Sequence, residues 1–176
     1  MATLMVKNAR LSFPSLFQHA QYKGESLDKY ECTLLVEKET PMAEAIQKAI
    51  KEAGTESLGK DWSKAKLCLQ DGDDKDYDGY ANMWAIKATT KKRPLVIDRD
   101  KSPLTEDDNV IFAGCYVNAK ISIYAYRNQY GDFVAAQLEA VQFAKEGDAF
   151  GGGAGASIDD FDDISGDTDD DDGVPF

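Results

Sequence analysis

Two stretches of this chain interleave aromatic rings with cations. In GYANMWAIKATTKKRP (79–94), Tyr80 and Trp84 are expected on one face of a strand-like segment, with Lys87 and the cluster Lys91-Lys92-Arg93 close behind. Pro94 restricts Arg93 to an extended backbone, which favours an exposed basic turn. In CYVNAKISIYAY (115–126), alternation puts Tyr116, Asn118, Lys120, Ser122, Tyr124 and Tyr126 on one face, and Arg127 and Tyr130 follow at the turn. Unpaired bases stack on ring faces, each worth ~1–3 kcal/mol, while Lys and Arg track phosphates. The chemistry on offer is non-covalent: a surface for a single nucleic-acid strand. Tyrosine also favours strands for its own packing, and a charged loop is often merely solvated. The two segments together carry the reading further than either alone.

Covalent and metal chemistry are less well supported. DGDDKDYDGY (71–80) spaces Asp74, Asp76, Asp78 and Gly79 as an EF-hand loop does, but the twelfth position is Ala85 where a bidentate Glu is required. A strand pattern follows it, so an acidic surface loop is the better reading. No acid–base partner accompanies these carboxylates to support a magnesium-dependent nuclease. Ser63-Lys64-Ala65-Lys66 matches S-x-x-K, a pattern short enough to arise by chance. His19 is the only histidine, which excludes zinc sites needing two imidazoles and any catalytic triad not built on it. Cys32, Cys68 and Cys115 are odd in number and lack CxxC spacing, as expected of reduced, buried thiols in a cytosolic protein. No catalytic residue, metal or cofactor is expected, and the protein is not expected to be an enzyme.

The net charge of −12 is unevenly placed. Residues 148–176 hold ten aspartates and no Lys or Arg, which leaves residues 1–147 with 22 acidic and 20 basic side chains, a net of −2. GGGAGA (151–156) predicts a flexible tether, and the absence of a following Lys-Ser or Lys-Thr argues against a phosphate-binding loop. SIDDFDDISGDTDDDDGVPF is acidic with sparse apolar residues, a composition that predicts disorder. Treated as a coil, residues 148–176 reach about 30 Å, against a radius of gyration of roughly 15 Å for the body. The expected division is a DNA-binding domain over 1–147 and a tether with an acidic interaction tail over 148–176. Within the tail, Asp169, Asp170, Asp171 and Asp172 precede Val174, Pro175 and Phe176. Pro175 limits backbone freedom beside a ring that can fill a pocket, and the aspartates would steer the tip toward a basic partner.

These residues must be positioned by a mainly β body. Strands are expected over 3–13, 29–38, 79–88, 94–97, 109–114, 115–126 and 132–143, the last two forming a hairpin across RNQYG. In that hairpin Val117, Ala119, Ile121, Ile123 and Ala125 face the core, opposite Val134, Ala136, Leu138 and Ala140. One helix is expected, capped by Thr40, opened by Pro41 and ended by Gly54, with Met42, Ala45, Ile46, Ala49, Ile50 and Ala53 as its apolar stripe. Short strands with one helix predict a small barrel with an inserted helix. No run of eighteen apolar residues and no secretory signal is present.

VKNARLSFPSLF, IFAGCYVNAKISIYAY and DDDDGVPF together resemble the single-stranded DNA-binding proteins of bacteriophages, particularly a phage group first catalogued as a domain of unknown function. The acidic end is also similar to the tips of bacterial single-stranded DNA-binding proteins, which finish in Pro-Phe. The resemblance implies an OB-fold barrel that coats single strands with little sequence preference during phage replication or recombination, in the cytoplasm of the bacterial host. Expected partners are single-stranded DNA and replication or recombination proteins captured by the tail, with no membrane; a homo-oligomer stays open. Two other readings compete: an acidic DNA mimic that inhibits a nuclease or restriction enzyme, and, more distantly, a nuclease using Asp71 to Asp78.

Overall fold

A computed structural model describes residues 2–77 and 79–150. The readings for residues 151–176, including Asp169 to Phe176, lie outside the described residues, and so does Asp78. In chain order the elements are β1 (Ala2–Ser15), the short hairpin β2 (Gln21–Tyr22) and β3 (Glu25–Ser26), β4 (Tyr30–Glu37), α1 (Pro41–Leu58), β5 (Lys66–Leu67), β6 (Leu69–Asp71), β7 (Met83–Thr90), β8 (Leu95–Ile97), β9 (Tyr116–Asn128) and β10 (Gly131–Lys145). Strands β1, β4, β7, β10 and β9 close a five-stranded barrel. All its pairings are antiparallel except β7 with β10, which run parallel where Ala88 meets Ala136. Closure pairs the strand edges that would otherwise be free to template association. The fold is mainly β with one α-helix, as the patterns predict, and 109–114 is an exception: 109–112 are irregular and 113–114 form a turn.

The barrel interior follows from alternation. Val6, Leu34, Ile86, Val117, Ile121, Ile123, Val134 and Leu138 are all at most 1 % exposed and form one core. The expected phase of β10 fails past Leu138, because a bulge at Glu139 shifts the register between Leu138 and Ala140. One extra residue exchanges the two faces. Val141 and Phe143 therefore turn inward, and Ala140 does not.

The helix α1 packs its buried Ala43, Ile46, Ala49, Ile50 and Ala53 on this core. Its start is as expected, with the Thr40 hydroxyl accepting from Ala43 N at 3.2 Å. Its end is not. Gly54 lies inside the helix, where a Cβ would press on Trp62, and the helix runs on to Leu58 and stops at Gly59, whose φ is +70°. A glycine at close approach and a glycine at a positive φ look alike in sequence.

The acidic 71–80 segment has its own partner. Lys38 Nζ bonds Asp71 Oδ1 at 2.5 Å and Asp73 Oδ2 at 2.8 Å, and lies 4.9 Å from the centre of the Trp84 ring. Among the described residues no group of three or more His, Cys, Asp or Glu is placed to hold a metal ion. The Lys38 hydrogen bond holds the Asp71 carboxyl below its ordinary 3.8, and Asp73 is lowered first by the Asn82 N–H and then by Lys38. A depressed acid contributes stability above its unfolded value that fades as pH falls through its lower folded value. Thermal stability should therefore fall below about pH 4. Melting curves from pH 7 to 2.5 should show a shallower acid decline for Lys38→Met, and an identical slope would exclude this ion cluster as a cause.

Candidate nucleic-acid interface

The outer wall of the barrel carries a groove of about 1060 Å³ across β1, β4 and β7. Register builds its floor. Ser12, Thr33 and Lys87 sit side by side on the three strands, with Arg10, Leu35 and Ala85 one row to one side. Ser15, Glu31 and Thr89 form the row on the other. Lys87 is 55 % exposed and pairs with Glu31 at 3.0 Å. The overhanging hairpin β2–β3 brings Tyr22, 64 % exposed, to the rim. Lys23 and Gly24 both take positive φ there, as a two-residue hairpin turn requires.

Three rings line the groove in series. Phe13 meets Tyr77 edge-on at 5.2 Å between centroids, and Tyr77 meets Tyr80 at 5.2 Å. Phe13 and Tyr77 are 51 % and 54 % exposed, whereas Tyr80 is buried and donates its hydroxyl to Ser12 Oγ at 2.7 Å. Burial accordingly pushes the Tyr80 hydroxyl up. Phe13 has a φ of +46° in a bulge that shifts β1 against β4 between Ser12 and Ser15. A bulky side chain is costly in that region, and bulges characteristically re-aim side chains near functional sites. The bulge turns an apolar ring outward into the groove.

A second aromatic row lies on the outside of β9 and β10. Tyr124, Tyr126 and Phe133 stack with centroid spacings of 5.7 and 5.1 Å and ring planes within 21°. Lys66 Nζ stands 5.7 Å from the Phe133 centroid. Burial raises the Tyr124 hydroxyl above its ordinary value, with a smaller push from Tyr126. Cys68 stitches this row to the groove: its N–H donates to Val134 O at 2.8 Å, its carbonyl accepts from Lys87 N at 3.0 Å, and its side chain lines the groove. Burial pushes the Cys68 thiol up to about 11, and the Cys32 thiol, inside the barrel, up to about 12.

The expected site residues divide accordingly. Tyr80 and Lys87 line the groove, and Tyr124 and Tyr126 form the second row with Arg127 at its end. Arg127 forks onto Asp132 at 2.6 and 3.1 Å. Lys91, Lys92 and Arg93 are exposed in the turn after β7, and Arg93 donates to Phe17 O at 2.9 Å, near the Ser15 end of the floor. Tyr116 lies under Arg10 and Lys145, at 5.9 and 4.7 Å, beside the opposite end. Lys120 is exposed on the outside of β9 and lies 4.0 Å from Glu139.

One expectation is corrected: Tyr80 and Trp84 do not share a strand face. Tyr80 precedes β7, and Trp84 is half-buried on the inner side with Ile86 and Ala88. Phe13, Tyr22 and Tyr77 are the rings that sequence periodicity misses. Phe13 sits at a bulge, and Tyr77 lies in a loop outside any strand.

The chain is similar to known proteins in sequence and in fold. Residues 2–174 match the family model described as Enterobacter phage Enc34, ssDNA-binding protein. Protein p50 of Acyrthosiphon pisum secondary endosymbiont phage 1 is 44 % identical over 173 residues, covering 92 % of this chain and 94 % of that one. The solved single-stranded DNA-binding protein of bacteriophage Enc34 in complex with ssDNA superposes with a TM-score of 0.72 at 27 % identity, over 85 % of this chain and 90 % of that one. The single-stranded DNA-binding protein gp2.5 of bacteriophage T7 shares the fold, with a TM-score of 0.62 at 16 % identity over 90 % and 91 % of the two chains.

Proposed function

The chain belongs to the phage Enc34 ssDNA-binding protein family, and from that premise we propose that it binds single-stranded DNA along the outer-wall groove. The observation that carries the reading is the run of exposed rings Phe13 and Tyr77 above the register row Ser12, Thr33 and Lys87. Bases stack on the rings and slide past one another without hydrogen-bond readout, so binding is sequence-tolerant. Lys87, Lys75 and the Lys91-Lys92-Arg93 turn supply charge for phosphates along the path. The strand continues past Cys68 onto Tyr124, Tyr126 and Phe133, with Lys66, Arg127, Lys120 and Tyr116 flanking.

Residues 151–176 complete the reading. Their nine aspartates compete with phosphates for the same cations, and Asp169 to Asp172 with Val174, Pro175 and Phe176 recruit replication or recombination proteins of phage or host. Binding by occlusion needs no catalytic group. The work is done in the cytoplasm of the infected bacterium. Among the described residues no helix is long and apolar enough to cross a membrane.

Gel shifts against single-stranded DNA, duplex DNA and no DNA, with and without magnesium, test the assignment. Retardation of the single strand without magnesium and without cleavage is expected. Binding to no DNA but inhibition of a nuclease would favour a DNA mimic. Lys91→Ala, Lys92→Ala and Arg93→Ala together should flatten the slope of log affinity against log salt by about two, since each neutralised phosphate of a single strand contributes ~0.7. An unchanged slope would remove that turn from the path.

A further inference from the structure

Phe150 fills one end of the groove. Its ring is 8 % exposed, packs with Leu35, Tyr80 and Ala85, and lines the groove itself. Arg10, Leu35 and Ala85 form one register row of the floor, so the ring lies on the surface assigned to the strand, one row from Lys87. A Cβ at Gly79, on the other side, would overlap the ring.

Hydrogen bonds add to the packing around Phe150. Its N–H donates to Ala113 O at 3.2 Å, and Arg10 Nη2 donates to the Asp148 carbonyl at 2.6 Å. GGGAGA follows immediately. Beside the ring stands a cation with an unusual set of partners. The Arg10 guanidinium lies 4.2 Å from the Phe150 centroid and 5.9 Å from that of Tyr116, and its Nε donates to Gly114 O at 3.1 Å. Among the described residues no carboxylate is within ion-pair distance of it. Among the described residues its charge meets carbonyls and ring faces. A guanidinium beside the groove can stack on a base and fork onto a phosphate.

We propose that Phe150 is a displaceable plug over a further base-stacking site. An unpaired nucleobase takes the seat between Arg10 and Tyr80 when residues 148–150 lift, and Arg10 exchanges the Asp148 carbonyl for a phosphate. The proposal rests on the single-strand reading of the groove. A ring is traded for a base of similar contact area, so displacement is finely balanced, and the seat fills once the strand is long enough to reach it. The effect is separate from the charge of the tail, because Phe150 is neutral.

The test uses the full chain, with Phe150→Ala and Phe150→Trp, titrated with oligothymidylates of increasing length. Phe150→Ala should bind long oligothymidylates about fivefold more tightly, the lower end of what one stacked base contributes. The emission of Phe150→Trp, after subtraction of the parent chain with Trp62 and Trp84, should move toward that of an exposed indole at saturation. Equal or weaker binding by a folded Phe150→Ala overturns the plug. If Phe150→Ala does not fold, the emission decides alone: a red shift supports displacement, and an unmoved spectrum makes Phe150 a fixed anchor. A parent chain that binds no single strand at all defeats the groove reading, and the plug with it.

Discussion

A Phe13→Ala, Tyr77→Ala double variant is expected to bind single-stranded DNA about thirtyfold more weakly than the parent at every salt concentration, taking the lower figure of ~1 kcal/mol for each stacked base. Both rings are about half exposed, so neither is needed to fill the barrel, and circular dichroism and melting should change little. Phe13 is held outward at a φ of +46°. Strain of that kind persists only where the surroundings enforce it, and it clusters at binding sites. Tyr124→Ala with Tyr126→Ala is the companion. Those rings touch one another, so their losses should be less than additive. Parent-like affinity in the first pair, with loss only in the second, would move the strand path off the groove and onto β9 and β10.

Removing residues 151–176 should raise affinity for single strands about tenfold at low salt, with the gain shrinking as screening shortens below ~10 Å at and above 0.1 M. The deletion takes nine aspartates from a chain of net charge −12 and brings it to −3. The deleted residues follow directly on Phe150, which lines the groove itself. Truncated protein that binds the same or more weakly at low salt would end the competition idea. Two full-length variants separate competition from recruitment. Loss of Phe176 should abolish capture of replication or recombination partners and leave DNA affinity alone. Asp169 to Asp172 changed to Asn should lose capture mainly at low salt, where steering by the aspartates is least screened. If the chain without Phe176 still retains every partner, the tip is not their ligand.

Much of the architecture can be read locally. Val117, Ala119, Ile121 and Ile123 show the core face of β9 because alternation is a property of one strand alone. Thr40 and Pro41 mark the helix start because a cap is made within four residues. The division of charge between residues 1–147 and 148–176 is likewise a matter of counting. Two readings fail where a residue's meaning depends on a distant partner. The bulge at Glu139 reverses the phase of β10, and Gly54 is small because Trp62 lies against it.

The candidate site shows the same limit more sharply. Residue types alone bring forward Lys87, Tyr124, Tyr126 and the 91–93 cations, since rings and charges at period two are visible in a single segment. The groove itself is a product of register. Ser12, Thr33 and Lys87 are separated by 21 and 54 positions in sequence and become neighbours only when β1, β4 and β7 pair. Phe13 points outward because of a bulge, Tyr77 because of a loop, and Trp84 turns inward in phase with Ile86 and Ala88 while Tyr80 lies before the strand. A strand's own pattern says which residues share a face, and closure of the barrel decides which faces meet. The aromatic and cationic character of this protein was thus determined by its sequence, whereas the place where a DNA strand could lie was decided by pairings between strands, which no single segment encodes.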